Sequence, residues 1–232
     1  MIDLIKRFDE IKNTNSFKEH NKFINELLEN ENNEYYNIHY QFICDNSNDL
    51  LHERLCRAFT KRTVSACFFL LEKALDKNIK NSLLADIIQI LGLMEFFQVI
   101  EYIPNFLLNN DELVRYKCII VLGWLGKEKE ISILSQILNS DEIEYLRGVS
   151  ATAMRQIWYN YPDLKNKIID CLYPRLLIEK SEMVNAMILI SLQDILGKNI
   201  GVSENLHGEI SGDINKSKIK LISLVKEIYH KA

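Results

Sequence analysis

Arg115 and Arg147 stand 32 residues apart, each near the start of a stretch that opens Asp-Glu and continues in small and apolar residues. The two stretches are DELVRYKCIIVLGWLG from Asp111 and DEIEYLRGVSATAMRQI from Asp141. At the same offset Cys118 aligns with Ser150, Leu122 with Met154 and Leu125 with Ile157. Upstream, ADIIQILGLM ends like VLGWLG, with Gly92 31 residues before Gly123 and Leu107 the same distance before Leu138. Downstream, SEMVNAMILISLQDILG repeats the shape, with Val184 in the place of Val114 and Leu192 in the place of Leu122. A spacing slightly above thirty, with two helices per unit, is the pattern of an α-solenoid. One such unit cannot bury its apolar face alone, and stacked neighbours can.

Within the unit, Val114, Cys118, Val121, Leu122 and Leu125 recur every three or four residues and share one helical face. Asp111 stands at the N-cap position and Glu112 in the first turn, where backbone N–H groups favour acids. Gly126 suits a left-handed C-terminal position, and Gly123 weakens the last turn unless a neighbouring helix approaches closely. EISILSQILNS reads as the second helix, with Ile133, Leu134, Ile137 and Leu138 inward.

SFKEHNKFINELLEN, NEYYNIHYQFICDN, DLLHERLCRAFTKR and TVSACFFLLEKALDK also read as helices, less regular, as expected of a solenoid end. The last helix places Ile219, Ile222, Val225 and Tyr229 on one stripe. With 3 prolines and 8 glycines, the chain lacks the turn residues of an all-β fold. Four of those glycines fall in GKNIGVSENLHGEISGDIN, which is too polar for a helix and reads as a long loop or small hairpin. It fits equally a tolerated insertion and a binding loop on a rigid scaffold. The expected architecture is all-α, a single right-handed α-solenoid domain. Irregular helices span 1–79, helix-pair repeats 80–197, a Gly-rich loop 198–214 and a capping helix 215–232.

The stretch DELVRYKCIIVLGWLG resembles the HEAT-like repeats first named for phycobilin lyases, whose pattern is Asp-x-x-Val-Arg followed by Leu-Gly-x-Leu-Gly. The second stretch matches the first half of that pattern, and the third has Asn185 where the Arg belongs. The resemblance implies that Asp111, Arg115, Asp141 and Arg147 pair along the array.

The histidines, His20, His39, His52, His207 and His230, form no i,i+4 pair and no HExxH motif, and no Cys/His cluster is evident, so no metal is expected. His39, among Tyr35, Tyr36 and Tyr40, reads as a partly buried packing residue. Cys44, Cys56, Cys67, Cys118 and Cys171 lie in apolar or mixed helical patterns and read as core residues of a reduced, cytoplasmic protein. The N-terminus lacks the apolar run of a signal peptide, and no apolar run reaches a membrane span. No phosphate-binding glycine motif or nucleophile motif is present, so no cofactor and no catalysis are expected.

A net charge of −4 argues against nucleic acid, whose binders neutralise phosphate with a basic excess. The resemblance admits one exception, DNA glycosylases for alkylated bases. For that role Trp124 and Trp158 would be the aromatics and Asp141 or Asp163 the acid; packing between units accounts better for the tryptophans.

Acids gather at Glu26, Glu29, Glu31 and Glu34, and again at Asp141, Glu142 and Glu144; bases gather at Arg54, Arg57, Lys61 and Arg62. Such runs are commonly solvated faces. Together with Tyr116 and Trp124, the acids also suit a cationic protein partner. The resulting expectation is a non-catalytic protein-binding module. Among bacterial proteins of this resemblance a recurring role is immunity, in which the partner is a toxin domain, often a basic nuclease. The alternatives are the glycosylase and a general adaptor or chaperone scaffold.

Overall fold

A computed structural model describes residues 2–229, with side chains described for 3–226. Among them lie thirteen α-helices and one β-hairpin. The chain divides into two compact units between Ile103 and Pro104.

The first unit holds α1 (Ile2–Ile11), α2 (Phe17–Leu27), α3 (Asn33–Ile43), α4 (Asp49–Phe59), α5 (Val64–Ala74) and α6 (Asn81–Leu93), then a 3-10 turn, Phe97–Glu101. Helices α2, α4 and α6 pack in one layer; α3 packs on α5, and α3–α4 and α5–α6 close as pairs. The segment expected to be irregular therefore has the same alternating pairs as the rest. Its helix starts are set by Ser16, Asn32 and Asn48, whose side chains accept from the backbone N–H of Glu19, Tyr35 and Leu51. Phe8, Phe23 and Phe42 form an aromatic cluster in the core, with Phe8 stacked on Phe42 at 4.2 Å.

A buried arginine locks this unit. Arg62 donates through Nε to His39 Nδ1 (3.0 Å), through Nη2 to Leu27 O and through Nη1 to Asn30 O and Glu31. His39 is wholly buried, and its Nε2 meets Leu55 O at 3.0 Å. Since Nδ1 accepts from Arg62, the ring is the neutral Nε2–H tautomer. Burial, reinforced by the Arg62 charge, lowers its pKa to about 3.

The one-turn helix α7 (Ile103–Phe106) spans the divide. The second unit holds α8 (Glu112–Leu125), α9 (Glu128–Ser140), α10 (Glu144–Asn160), α11 (Lys165–Ile178), α12 (Glu182–Leu196), β1 (Val202–Glu204), β2 (Ile210–Gly212) and α13 (Ile214–Tyr229). Helices α8, α10 and α12 form one layer, α9 and α11 the other, and α13 packs on α12. This is the helix-pair stacking of an α-solenoid. Gly123 permits the close approach of α8 to α10, since a Cβ there would lie 3.0 Å from Ala153 Cα.

Several expectations change at residue level. Gly126 is extended (φ −69°, ψ 157°), not left-handed; it must be glycine because a Cβ would lie 2.2 Å from Leu122 O. The inward residues of α9 are Ile131, Leu134 and Leu138, while Ile133 and Ile137 are half-buried beside Leu107 and Leu108. Upstream the short α7 buries Phe106 and leaves Leu107 half-buried. On α13 the buried stripe is Ile214, Ser217, Leu221 and Val225, and Ile219 is exposed because it points away from α12. The Tyr229 side chain and the part of the predicted capping helix beyond 229 lie outside the described residues, as does His230.

The Gly-rich segment forms an antiparallel hairpin, pairing Val202 with Gly212, Ser203 with Ser211 and Glu204 with Ile210. It is clamped to α12 by Gln193, whose Nε2 donates to Val202 O and whose Oε1 accepts from Ile200 N.

Candidate functional site

The arginines of the repeat hold the second unit together. Arg115 Nη1 donates to Asn109 O and Asn110 O, and its Nε and Nη2 reach Asp141 in the following unit. Arg147 repeats this pattern on Asp141 O, Glu142 O and Glu179. Glu179 also accepts from Arg175 and from the backbone N–H of Lys180 and Ser181. Burial raises its carboxyl, but these donors outweigh burial and hold it at about 2. Of the implied Asp–Arg pairs, Arg115–Asp141 joins successive units; Arg147 takes Glu179 instead of an aspartate, and Asp111 serves as the N-cap of α8 through Val114 N. At Asn185 the ladder changes: its Nδ2 takes Glu179 O and Ser181 O, and Lys218 of α13 donates to Glu179 O and Asn185 Oδ1.

With that ladder buried between units, the solvent-facing side of the α8/α10/α12 layer carries a second repetition. Each helix opens with an exposed acid followed by a large apolar residue: Glu112–Leu113, Glu144–Tyr145 and Glu182–Met183. Leu113, Tyr145 and Met183 are 43%, 42% and 41% exposed, so about half of each side chain is available to a partner. Because the three helices run parallel, the acids form one row and the apolar residues another. Tyr116 stacks on Tyr145 at 5.7 Å, joining α8 to α10. The row ends in a pocket of about 390 Å³ bounded by Tyr145, Met183 and Met187, with Ile210 of the hairpin opposite and Glu182 at the rim. Gly148 admits Met187 here, since a Cβ would stand 2.2 Å from its Sδ. Arg155 fixes the hairpin wall by pairing with Asp194 of α12 and Glu204 of β1 at 2.9 and 2.8 Å.

The sequence-predicted residues separate into structural and free groups. Glu26 pairs with Arg7, and Glu31 holds the buried Arg62 and Thr63, so neither is a free surface charge. Asp141 is likewise committed to Arg115 and to Ile143 N. Glu29, Glu34 and Glu142 are exposed; Glu144 is exposed and accepts from Ser181 Oγ at 2.9 Å; Tyr116 is half-buried in its stack. Trp124 and Trp158 are half-buried; Trp158 meets Tyr159 at 4.9 Å. Asp163 is exposed in the 3-10 turn after α10, whereas Asp141 precedes that helix. Seventeen helical residues place these acids roughly 25 Å apart.

A family model for HEAT repeats matches residues 70–155. These residues are HEAT repeats. Among curated proteins, none matches the chain. The match runs from α5 into α10, and helix pairing continues through α11 and α12. A HEAT array is a protein-interaction scaffold, and no described helix is long and apolar enough to cross a membrane.

Tyr145, Glu182, Met183 and Met187 were not singled out in the sequence. Their signal was available: the acid–apolar pair recurs in DEL from Asp111, in IEY from Ile143 and in SEM from Ser181. A second omission lies in the first unit. His52 and Cys56 stand at i,i+4 on α4, and Asp86 of α6 faces them. His52 Nε2 lies 3.0 Å from Asp86 Oδ2 and 3.6 Å from Cys56 Sγ, correcting the reading that no Cys/His cluster exists. Its hydrogen bonds to Asp86, first, and to Cys56 raise the imidazole to about 10. The cysteines are also less uniform than expected: Cys67 and Cys118 are buried, Cys56 and Cys171 intermediate, and Cys44 exposed.

Proposed function

We propose that the chain is a non-catalytic binding scaffold whose partner docks a cationic, partly apolar segment along the α8/α10/α12 face. The observation that carries this reading is the threefold acid–apolar pair, Glu112–Leu113, Glu144–Tyr145 and Glu182–Met183. Parallel rows of this kind suit a segment that alternates aliphatic and basic side chains. The apolar row supplies desolvated contact area, and the acid row steers encounter. The pocket between Met183, Met187 and Ile210 has room for one long side chain, with Glu182 placed to meet a terminal cation. Methionine walls adapt to differing shapes. The sharpest form of this reading is immunity: the partner is a basic toxin domain, and Glu142 adds to the acidity it meets.

The test is site-specific photo-cross-linking from position 183, with position 136 on the other layer as control, followed by mass spectrometry of the captured protein. Purified partner is then titrated against Glu144→Lys/Glu182→Lys. Capture at 183 and slowed association, most marked at low salt, support the proposal. Equal capture at 136, or association indifferent to charge reversal and salt, overturns it. The immunity form further requires that co-production relieve the partner's toxicity.

A further inference from the structure

We propose that His52, Cys56 and Asp86 form a zinc-binding site joining α4 to α6. Among the described residues this is the one place where three His, Cys, Asp or Glu side chains bring ligating atoms together, all within 4.8 Å of one another. The spacing explains half of it, because residues four apart share a helical face. The packing of α4 on α6 supplies the rest.

The three donor atoms lie close enough for one ion to draw them together with shifts of a few tenths of an ångström in the His–Asp pair. For tetrahedral zinc, bonds of about 2.0–2.1 Å to N and O and about 2.3 Å to S put N and O roughly 3.4 Å apart and N and S roughly 3.6 Å apart. The observed values are 3.0 Å for Nε2 to Oδ2 and 3.6 Å for Nε2 to Sγ. A hydrogen-bonded His–Asp pair alone would need no thiol at the third corner. The donor set of one nitrogen, one thiolate and one carboxylate is borderline-soft, which favours zinc over magnesium or calcium. The His52 and Asp86 side chains are 18% and 25% exposed, so a fourth position opens to water. On binding, Cys56 releases its thiol proton and the imidazolium releases its Nε2 proton, two protons in all, and the remaining imidazole proton resides on Nδ1. That atom is buried without a hydrogen-bond partner. It lacks one in either tautomer, so the metal does not worsen its position.

The test uses Co²⁺ as an optical stand-in for Zn²⁺, on a Cys44→Ser/Cys171→Ser background that removes the more accessible other thiols. The expected result is one equivalent bound, with a thiolate-to-cobalt charge-transfer band that Zn²⁺ abolishes by displacement. Cys56→Ser should lose the band, and His52→Gln and Asp86→Asn should each weaken Zn²⁺ binding at least tenfold. Helicity by circular dichroism controls for folding. A readout needing no variant is the protection of Cys56 from alkylation by one equivalent of Zn²⁺, read by mass spectrometry. Absence of a saturable one-equivalent band, its persistence in Cys56→Ser, or alkylation of Cys56 unaffected by Zn²⁺ would overturn the proposal.

Discussion

Arg147 reaches Glu179, 32 residues further on, through Nε at 3.3 Å and Nη2 at 3.4 Å, and so ties α10 to the loop before α12. The Glu179 side chain is 3% exposed, and two arginines and two backbone N–H groups converge on it. Removing one partner of a buried pair leaves the others desolvated and uncompensated. Glu179→Ala is therefore expected to lower stability by about 3–5 kcal/mol. Asp141→Ala should do less damage, because Arg115 keeps its two carbonyl acceptors and is the only arginine stranded. Urea denaturation of both variants checks the order; equal losses would refute the ladder's asymmetry.

His39 makes the first unit acid-sensitive. Its folded pKa of about 3 lies below the unfolded value of 6.5, so the unfolded chain binds a proton first as pH falls. Its contribution is complete above pH 6.5 and declines as pH drops toward 3. Glu179 acts in the same direction, but only below its ordinary value of 4.5. Between pH 6.5 and 4.5 the His39 share should amount to about 2–3 kcal/mol. His39→Gln should flatten the stability profile in that window. A slope unchanged by the substitution would remove His39 as its source.

Two glycines should answer an added methyl differently. Gly123→Ala sets a Cβ 3.0 Å from Ala153 Cα, where backbone must move, and should destabilise by about 1–3 kcal/mol despite alanine's better helix propensity. Gly148→Ala meets the Met187 thioether, which can swing aside. Its stability change should stay below about 1 kcal/mol while the displaced Met187 alters the pocket and weakens partner binding. Thermal melts paired with binding measurements separate the two.

At the end of α6, Glu95 holds a left-handed conformation (φ 52°). Phe96 N donates to Leu91 O and Glu95 N to Gly92 O, the double closure that usually places glycine at this position. Glu95→Gly should raise stability by about 0.5–1 kcal/mol, read as a higher melting temperature.

The repeat was legible because the buried positions of stacked helices recur with the unit, as Arg115 and Arg147 do. The partner of each arginine was harder to read: Asp141 and Glu179 differ in residue type and stand at different distances from their arginines, 26 and 32 residues. Pairings made by tertiary packing left little trace. Glu31 reads as one more acid in a run, yet folding brings it 31 residues back to a buried Arg62. Asp86 carries no sign that α6 will set it beside His52 and Cys56. The acid–apolar rows were visible in DEL and SEM, but the alternation of helices decides that those positions line one surface. The hairpin was ambiguous because its own contacts, such as Ser203 with Ser211 and Asn205 with Glu209, are joined by a clamp from Gln193 of α12 that the local sequence does not show.

Lys218 occupies the place where the next arginine of the ladder would act, binding Glu179 O and Asn185 Oδ1. An amine borrowed from α13 thus serves as a terminator, closing polar groups that would otherwise present a template to another helix pair. The carbonyl six residues before each ladder position, Asn109, Asp141 and Glu179, is thus held by arginine twice and then by asparagine together with a lysine from α13.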